Sequence, residues 1–177
     1  MTTYASREDV QEAMAGRDLS GADLRGLDLH GLRFTGMKME NVNLAGANLS
    51  KAILAGADMA GADLTDANLE QAVLAGLNLP QANLRQARLN GARLNGLNLQ
   101  GSDLSGADLS GARLRGLNVQ AATFADAVTT GAKAAQVNWD QASVQPAELP
   151  EPMPMVPPWL PVLIIALVVG LILWRRK

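Results

Sequence analysis

Large apolar side chains recur at every fifth position along most of the chain. The series keeps a single phase from Leu19 to Trp139, and only Thr129 and Ala134 interrupt it. Two residues before most of these centres lies an alanine or another small residue, and an Asn or Asp often separates the two. The chain is therefore built from five-residue units that each contribute two apolar positions.

Neither an α-helix nor a flat strand can bury a series with this spacing. A helix advances about 100° per residue, so a step of five rotates the side chain by about 140° around the axis. In a strand, an odd step places successive centres on opposite faces. Both conflicts disappear if the chain turns a corner once per unit. Ala22 and Leu24 then point inward and Asp23 points outward.

A second period predicts the number of corners in one coil. Larger residues replace the small inward residue at intervals of twenty, and each is followed by an asparagine. They are Leu77, Leu97, Leu117 and Val137. Four units per coil would stack these residues on one side. Glycine follows many centres by two positions, as at Gly26 and Gly111, where a tight corner uses its conformational freedom.

Units such as residues 22–26 (ADLRG) and 107–111 (ADLSG) resemble the pentapeptide-repeat family over residues 17–141. The resemblance implies an all-β fold, a right-handed quadrilateral β-helix of about six coils of four pentapeptides, and a bacterial origin. Two features depart from the family pattern. Arg17 occupies an inward position. The last coil has Thr129 and Ala134 in place of large apolar centres, so Trp139 is expected to cover the end of the rod as a lid.

The ends of a solenoid need caps, because their strand edges are open. Residues 6–9 (SRED) resemble a helix capping box and predict a short helix over residues 6–15. Val10, Ala13 and Met14 would face the first coil. The predicted organisation is an N-terminal cap (1–16), the β-helix (17–141), a Pro-rich linker (142–158), a transmembrane helix (159–174) and a basic tail (175–177).

The segment 159–174 (WLPVLIIALVVGLILW) carries no charge. As a helix it would span about 24 Å, short against a hydrocarbon core of about 30 Å but tolerable in a locally thinned bilayer. Trp159 and Trp174 match interfacial belts, and Arg175, Arg176 and Lys177 match headgroup anchors. The sequence predicts a single-pass membrane protein.

The orientation of this predicted membrane protein has two solutions. No signal peptide precedes the repeats, which favours a tail anchor with the repeat domain in the cytoplasm. The positive-inside rule favours the extracytoplasmic orientation. Residues 149–152 (LPEP), the apolar run and the basic end are also similar to C-terminal sorting tails of bacterial surface proteins, which stays an alternative.

Composition argues against catalysis. The chain has no cysteine and one histidine, His30, at an outward position. No phosphate-loop motif is present, and a rod filled with leucine leaves no room for a pocket. We therefore predict no enzyme activity, no metal and no cofactor. The net charge of −2 also makes nucleic-acid binding unfavourable.

Folding the chain at twenty residues per coil predicts two surface features on one side of the rod. Ile53, Ala55, Val73 and Ala75 would form an apolar patch that suits a protein partner or self-association, unless it is a tolerated aliphatic cluster. Basic residues follow it toward the C-terminal end, and they would contact anionic headgroups or only solvent. They are Arg93, Arg113, Arg115 and Lys133, with Arg88 around the corner.

These features lead to a prediction of a membrane-tethered, non-catalytic scaffold that presents a rigid β-helix to an unknown protein partner. The family resemblance implies a second possibility, a DNA-mimicking protein that binds the topoisomerase gyrase. DNA mimicry requires a strongly acidic surface, whereas residues 17–141 contain twelve acidic and eleven basic residues.

Overall fold

The structure is a computed structural model that describes residues 2–153. It contains one α-helix, α1 (Arg7–Ala13), and two 3-10 helices, Met14–Gly16 and Trp139–Gln141. The strands are short. They are β1 (Ile53–Ala55), β2 (Val73–Ala75), β3 (Arg93–Asn95), β4 (Arg113–Arg115), β5 (Lys133–Ala135) and β6 (Glu151–Pro152).

Successive coils pair in parallel with an offset of twenty residues. Strands β1 to β5 stack in this register, so that Leu54 lies beside Leu74 and Leu74 beside Leu94. Three further series of single bridges run along the rod with the same offset. They include Asp18↔Lys38, Asp23↔Asn43 and Asp28↔Asn48. Four units therefore complete one coil, as the twenty-residue period predicts.

The chain forms an all-parallel β-solenoid of about five turns, one fewer than predicted. The regular step ends in the last coil. Thr123 pairs with Val144 at an offset of twenty-one, and Lys133 pairs with Glu151 at an offset of eighteen. The 3-10 helix Trp139–Gln141 takes the place of the next corner.

The axial column is confirmed by burial. Every large apolar centre from Leu19 to Phe124 has at most 2% of its surface exposed. The small inward residues between them, such as Ala47 and Ala67, are buried as well. Each centre excludes water from its neighbours above and below, so stability is distributed along the rod in nearest-neighbour contacts.

Each corner is a tight turn whose third residue has a positive φ angle. The Ala72 amide donates to the Leu69 carbonyl at 3.0 Å, and Gln71 between them has φ +56°. Glycine occupies most of these corners, but stacking imposes the same backbone where glycine is absent, as at Ala121 (φ +55°). The hydrogen bonds to adjacent coils therefore override the residue's own preference.

These corners predict a pair of substitutions with opposite effects. Gly46 has φ +67° and open space around it, so Gly46→Ala is expected to lower the free energy of unfolding by about 1 kcal/mol. Ala121→Gly removes the same strain and is expected to raise it by less than about 1 kcal/mol, because glycine loses more entropy on folding. Urea unfolding followed by circular dichroism measures both. A change in the free energy of unfolding that has the same sign in both variants would contradict this explanation.

Three of the larger inward residues follow a corner of a different kind. After strands β1 to β4 the described structure has no turn hydrogen bond across the corner, and the same holds after Phe34 and Ala134 in the same column. The corners on the other three sides close with a hydrogen bond of 2.9 to 3.4 Å. A glycine with φ of +60° to +63° stands at each of the four corners after β1 to β4. Leu77, Leu97 and Leu117 are buried after three of these corners, whereas the smaller Ala57 is buried after β1.

The predicted short N-terminal helix is confirmed, over Arg7–Ala13 rather than residues 6–15. The Ser6 hydroxyl accepts from the Asp9 amide at 3.1 Å, and the Asp9 carboxylate accepts from the Ser6 amide at 3.0 Å. Val10 is fully buried against the first coil, with Ala13 and Met14 packed beside it. The segment before the helix adds a strand-like layer, in which Thr3 pairs with Asp23.

Arg17 does not point inward, in contrast to the expectation from its phase. Its side chain is exposed, and its guanidinium donates to the carbonyls of Thr35 and Gly36 at 3.0 and 3.3 Å. Its backbone has φ +57° and ends the 3-10 helix. The regular column therefore begins at Leu19.

Residues 142–153 are not a separate linker. The Ser143 amide donates to Ala122, Glu151 to Ala132 and Met153 to Ala134, at 2.8 to 2.9 Å. Pro146 and Pro150 are buried. The Thr129 hydroxyl donates to the Glu148 carbonyl, which explains why a polar residue interrupts the leucine series. This segment wraps the last coil and covers its edge.

The remaining predictions for the C-terminal part fall on residues outside the described range. They are the end of the linker (154–158), the transmembrane helix (159–174) with Trp159 and Trp174, and the tail with Arg175, Arg176 and Lys177. Among residues 2–153, no helix has the length and hydropathy needed to cross a membrane.

Candidate interaction face

One side of the solenoid forms a continuous parallel sheet, which we call the sheet face. It comprises β1 to β5 and, above them, the bridge between Arg33 and Ile53. Its outward residues form two columns along the rod. They are Arg33, Ile53, Val73, Arg93, Arg113 and Lys133 in the first column, and Thr35, Ala55, Ala75, Asn95, Arg115 and Ala135 in the second.

The structure brings the four predicted patch residues together. Ile53 lies in register with Val73, and Ala55 lies in register with Ala75. All four side chains are half-buried, so they present a smooth aliphatic surface without protruding from the sheet. We call these four residues the aliphatic quartet. Neighbouring strands lie about 4.8 Å apart, which makes the quartet a compact area in the upper half of the sheet face.

The lower half of the sheet face is basic. Arg93 lies in register with Arg113, and Arg113 with Lys133, while Arg115 stands in the second column. All four side chains are exposed. Together with Asn95 and Met153, the three arginines line a shallow cleft of about 240 Å³. Met153 reaches this cleft because β6 extends the sheet beyond β5.

Charge is divided unevenly between the sheet face and the rest of the rod. The twelve outward positions of the sheet face include five basic residues and no acidic one. The remaining positions in residues 17–141 therefore hold six basic and all twelve acidic residues. A nearly neutral domain thus has one basic side, and Glu151 of β6 is the first carboxylate to appear on it.

The ion pairs of residues 2–153 all lie away from the sheet face. Arg25 pairs with Asp23 at 2.7 Å, and Arg85 pairs with Asp103 at 3.1 Å. Arg88, predicted to join the basic group, instead pairs with Glu70. It also stands in register with Asp108, so a carboxylate on either side offsets its charge.

Local hydrogen bonds stabilise the charged form of several aspartates. The Arg25 side chain holds the pKa of Asp23 below its usual value, and Asp23 is nearly buried. Partial burial raises the pKa of Asp103, but hydrogen bonds from Ser105 and Arg85 outweigh it and the net shift is downward. These ionised carboxylates accept hydrogen bonds that stabilise the turns of the coil.

The asparagine series is a structural ladder. The side-chain amide of Asn98 donates to the side-chain oxygen of Asn78, Asn78 donates to Asp58, and Asn118 donates to Asn98, each at 2.9 Å. His30 contacts Asp28 and Arg7 near the N-terminal cap. Within residues 2–153, no three His, Asp or Glu side chains are grouped as a metal site would require.

A family model described as pentapeptide repeats matches the chain in eight copies. The matched residues are 14–41, 43–79, 67–106 and 92–128. A comparison with curated protein sequences finds no match.

Solved structures of pentapeptide repeat proteins share part of the sequence. HetL, a pentapeptide repeat protein involved in heterocyst differentiation regulation from the cyanobacterium Nostoc sp. strain PCC 7120, is 33% identical. The match covers 72% of this chain and 68% of HetL, with a TM-score of 0.48. Rfr23 from the cyanobacterium Cyanothece 51142 is 25% identical over 73% of this chain and 95% of its own, with a TM-score of 0.38.

Full-length QnrB1, described as a plasmid-mediated fluoroquinolone resistance protein, is also similar to this chain. It is 17% identical over 82% of this chain and 96% of its own, with a TM-score of 0.35.

Proposed function

Because the chain belongs to the pentapeptide-repeat family, we propose that it is a non-catalytic scaffold whose sheet face binds a protein partner. The observation that carries this proposal is the composition of that face. An aliphatic quartet lies between Arg33 above and a basic group below, and no carboxylate interrupts the face from residue 33 to residue 135.

The chemistry of the face selects the chemistry of the partner. The aliphatic quartet suits an apolar contact, because it is flat, half-buried and already rigid, so little entropy is lost on binding. Arg33, in register with Ile53, favours a partner with a carboxylate at the rim of its interface, which would increase the association rate and orient the complex. We therefore propose a protein surface with a small apolar centre and a carboxylate at its rim.

Site-specific photo-crosslinking in the intact chain tests this proposal. A photoreactive residue at Ala55 is expected to yield a discrete crosslinked product whose amount falls at high salt, since charge guides the encounter. The same residue at Ala45, half-buried on another side of the rod, is the matched position and should not yield it.

Substitution of the aliphatic quartet gives the second arm of this experiment. Ile53→Asp/Val73→Asp is expected to abolish the product by placing two charges in the contact. Ala45→Asp/Ala125→Asp adds the same two charges elsewhere and should preserve it. Equal crosslinking at Ala45 and Ala55, or an unchanged product in Ile53→Asp/Val73→Asp, would exclude the sheet face as the binding surface.

We also propose that residues 159–174 tether the scaffold to a membrane. The support is the sequence: sixteen uncharged residues between two tryptophans, followed by three basic residues. The cytoplasmic orientation of the repeat domain remains the preferred one, and a C-terminal sorting tail remains the alternative.

The DNA-mimic alternative finds little support on this surface. Outside the sheet face the net charge of residues 17–141 is −6, from twelve acidic and six basic residues. That charge is spread around the rod, and three of the carboxylates are paired with arginines. A nucleic-acid mimic would need dense carboxylates on the face that meets the partner.

A further inference from the structure

The basic column of the sheet face lowers the stability of the solenoid when no anion is bound to it. In a parallel register, Arg93 lies directly beside Arg113, and Arg113 directly beside Lys133. Like charges opposite one another on adjacent strands destabilise a sheet. Elsewhere on the rod the bridged positions pair opposite charges, as in Lys38↔Asp58, or set an asparagine beside an aspartate, as in Asp63↔Asn83. No ion pair reaches the basic column within residues 2–153.

The cleft among these side chains is suited to an anion of the size of a phosphate group. The three arginines provide planar groups of donors that match phosphate oxygens, and Asn95 provides a further amide. Its volume of about 240 Å³ also leaves room for the groups attached to a phosphate. A bound anion would remove the repulsion within the column.

The position of the cleft indicates where that phosphate comes from. The described chain leaves the solenoid on the sheet face itself, through β6 and then Met153, which lines the cleft. Trp159 follows Met153 by six positions, a reach of at most about 20 Å. A bilayer entered at Trp159 would therefore hold its headgroups within reach of this cleft.

We infer that Arg93, Arg113 and Arg115 form a binding site for the phosphate of anionic phospholipid headgroups, which leans the lower half of the sheet face against the membrane. The inference rests on the proposed tether and divides the sheet face between two tasks. The lower half contacts lipid, and the aliphatic quartet above it stays available to a protein. Lys133 contributes less, because Glu151 stands in register with it.

Fluorescence quenching of the full chain in vesicles tests this site. The chain has no cysteine, so an environment-sensitive label can be placed at Ala135, at the lower end of the sheet face, or at Thr35, five coils above it. The vesicles contain phosphatidylcholine alone or with phosphatidylglycerol, and a nitroxide attached to the headgroups acts as the quencher. Flotation of the chain with the vesicles is measured first.

Quenching at Ala135 is expected to be severalfold stronger with phosphatidylglycerol than with phosphatidylcholine alone, and weak at Thr35, about 24 Å away. Arg113→Gln/Arg115→Gln should abolish the difference between lipids. Arg25→Gln/Arg85→Gln, which removes two ion-paired arginines from another side, should preserve it. Far-UV circular dichroism of each variant shows that the solenoid is intact.

Three results would overturn the inference, and they are distinguishable from failure of the tether. Equal quenching with the two lipids, equal loss in both arginine variants, or a buried label that lipid-bound nitroxide cannot quench would exclude the headgroup site. The last result would indicate contact with protein instead. A chain that does not float with either vesicle would refute the proposed tether, and the headgroup site with it.

Discussion

Leu79→Asp is expected to prevent the solenoid from folding as a single unit. Leu79 is fully buried in the middle of the axial column. The substitution forfeits about 1.5–3 kcal/mol of apolar burial and places an unpaired carboxylate where it costs several kcal/mol more. A domain of this size is stable by only about 5–15 kcal/mol. Because each coil contacts only its neighbours, no distant contact can compensate for the loss.

Far-UV circular dichroism and urea unfolding measure this effect, with Asn68→Asp as the matched control. Asn68 lies two units earlier and points outward, in register with Asn48 and Arg88, and its side-chain oxygen accepts from the Glu70 amide at 3.1 Å. An aspartate there keeps the acceptor and adds the same charge, so its unfolding midpoint should change little. If Leu79→Asp unfolded cooperatively with the native midpoint, the dry axial column would be refuted.

Phe124→Ala is expected to cost about 3–5 kcal/mol, the usual range for a large aromatic lost from a core. Phe124 is fully buried in the last regular coil. Its ring meets the Trp139 ring edge-on, with centroids 5.2 Å apart and an interplanar angle of 78°. The substitution therefore removes the support of the lid as well as a buried side chain, and residues 142–153 should exchange amide hydrogens faster.

A double-mutant cycle with Trp139→Ala isolates the aromatic contact, with an expected coupling of about 0.5–1.5 kcal/mol. Phe34→Ala is the matched control, because Phe34 is equally buried near the other end and has no aromatic partner in the described structure. Urea unfolding should show a loss of comparable size, but amide exchange in residues 142–153 should not change. A coupling near zero would mean that Trp139 does not close the rod through Phe124.

In the C-terminal part of the rod, the proline-rich composition led to a predicted end of the β-helix that lies too early in the chain. Pro146 and Pro150 predicted an extended spacer, because proline ends regular structure and donates no hydrogen bond. In the folded chain both are buried, and residues before and after them donate to the preceding coil. Pro146 and Pro150 lie at positions where stacking on the preceding coil requires no backbone N–H donor. Only the contact with the edge of the preceding coil reveals which positions these are.

The basic side of the rod was predictable in part. The twenty-residue period places Arg93, Arg113 and Lys133 in one column, and the register confirms this. Arg88 has the same charge and lies nearby in the sequence, yet Glu70, eighteen residues earlier, pairs with it. Which charges are compensated depends on side-chain reach between coils, and a repeat pattern does not contain that information.

The sequence by itself determined the five-residue corner, the inward column and the four-unit coil, because these follow from which positions must avoid water. Tertiary structure alone decided the left-handed backbone at Gln71 and Ala121, the outward turn of Arg17 and the wrapping of residues 142–153. In each of these cases hydrogen bonds to a neighbouring coil or layer outweigh the local preference of the residue, and those partners lie about twenty residues away along the chain.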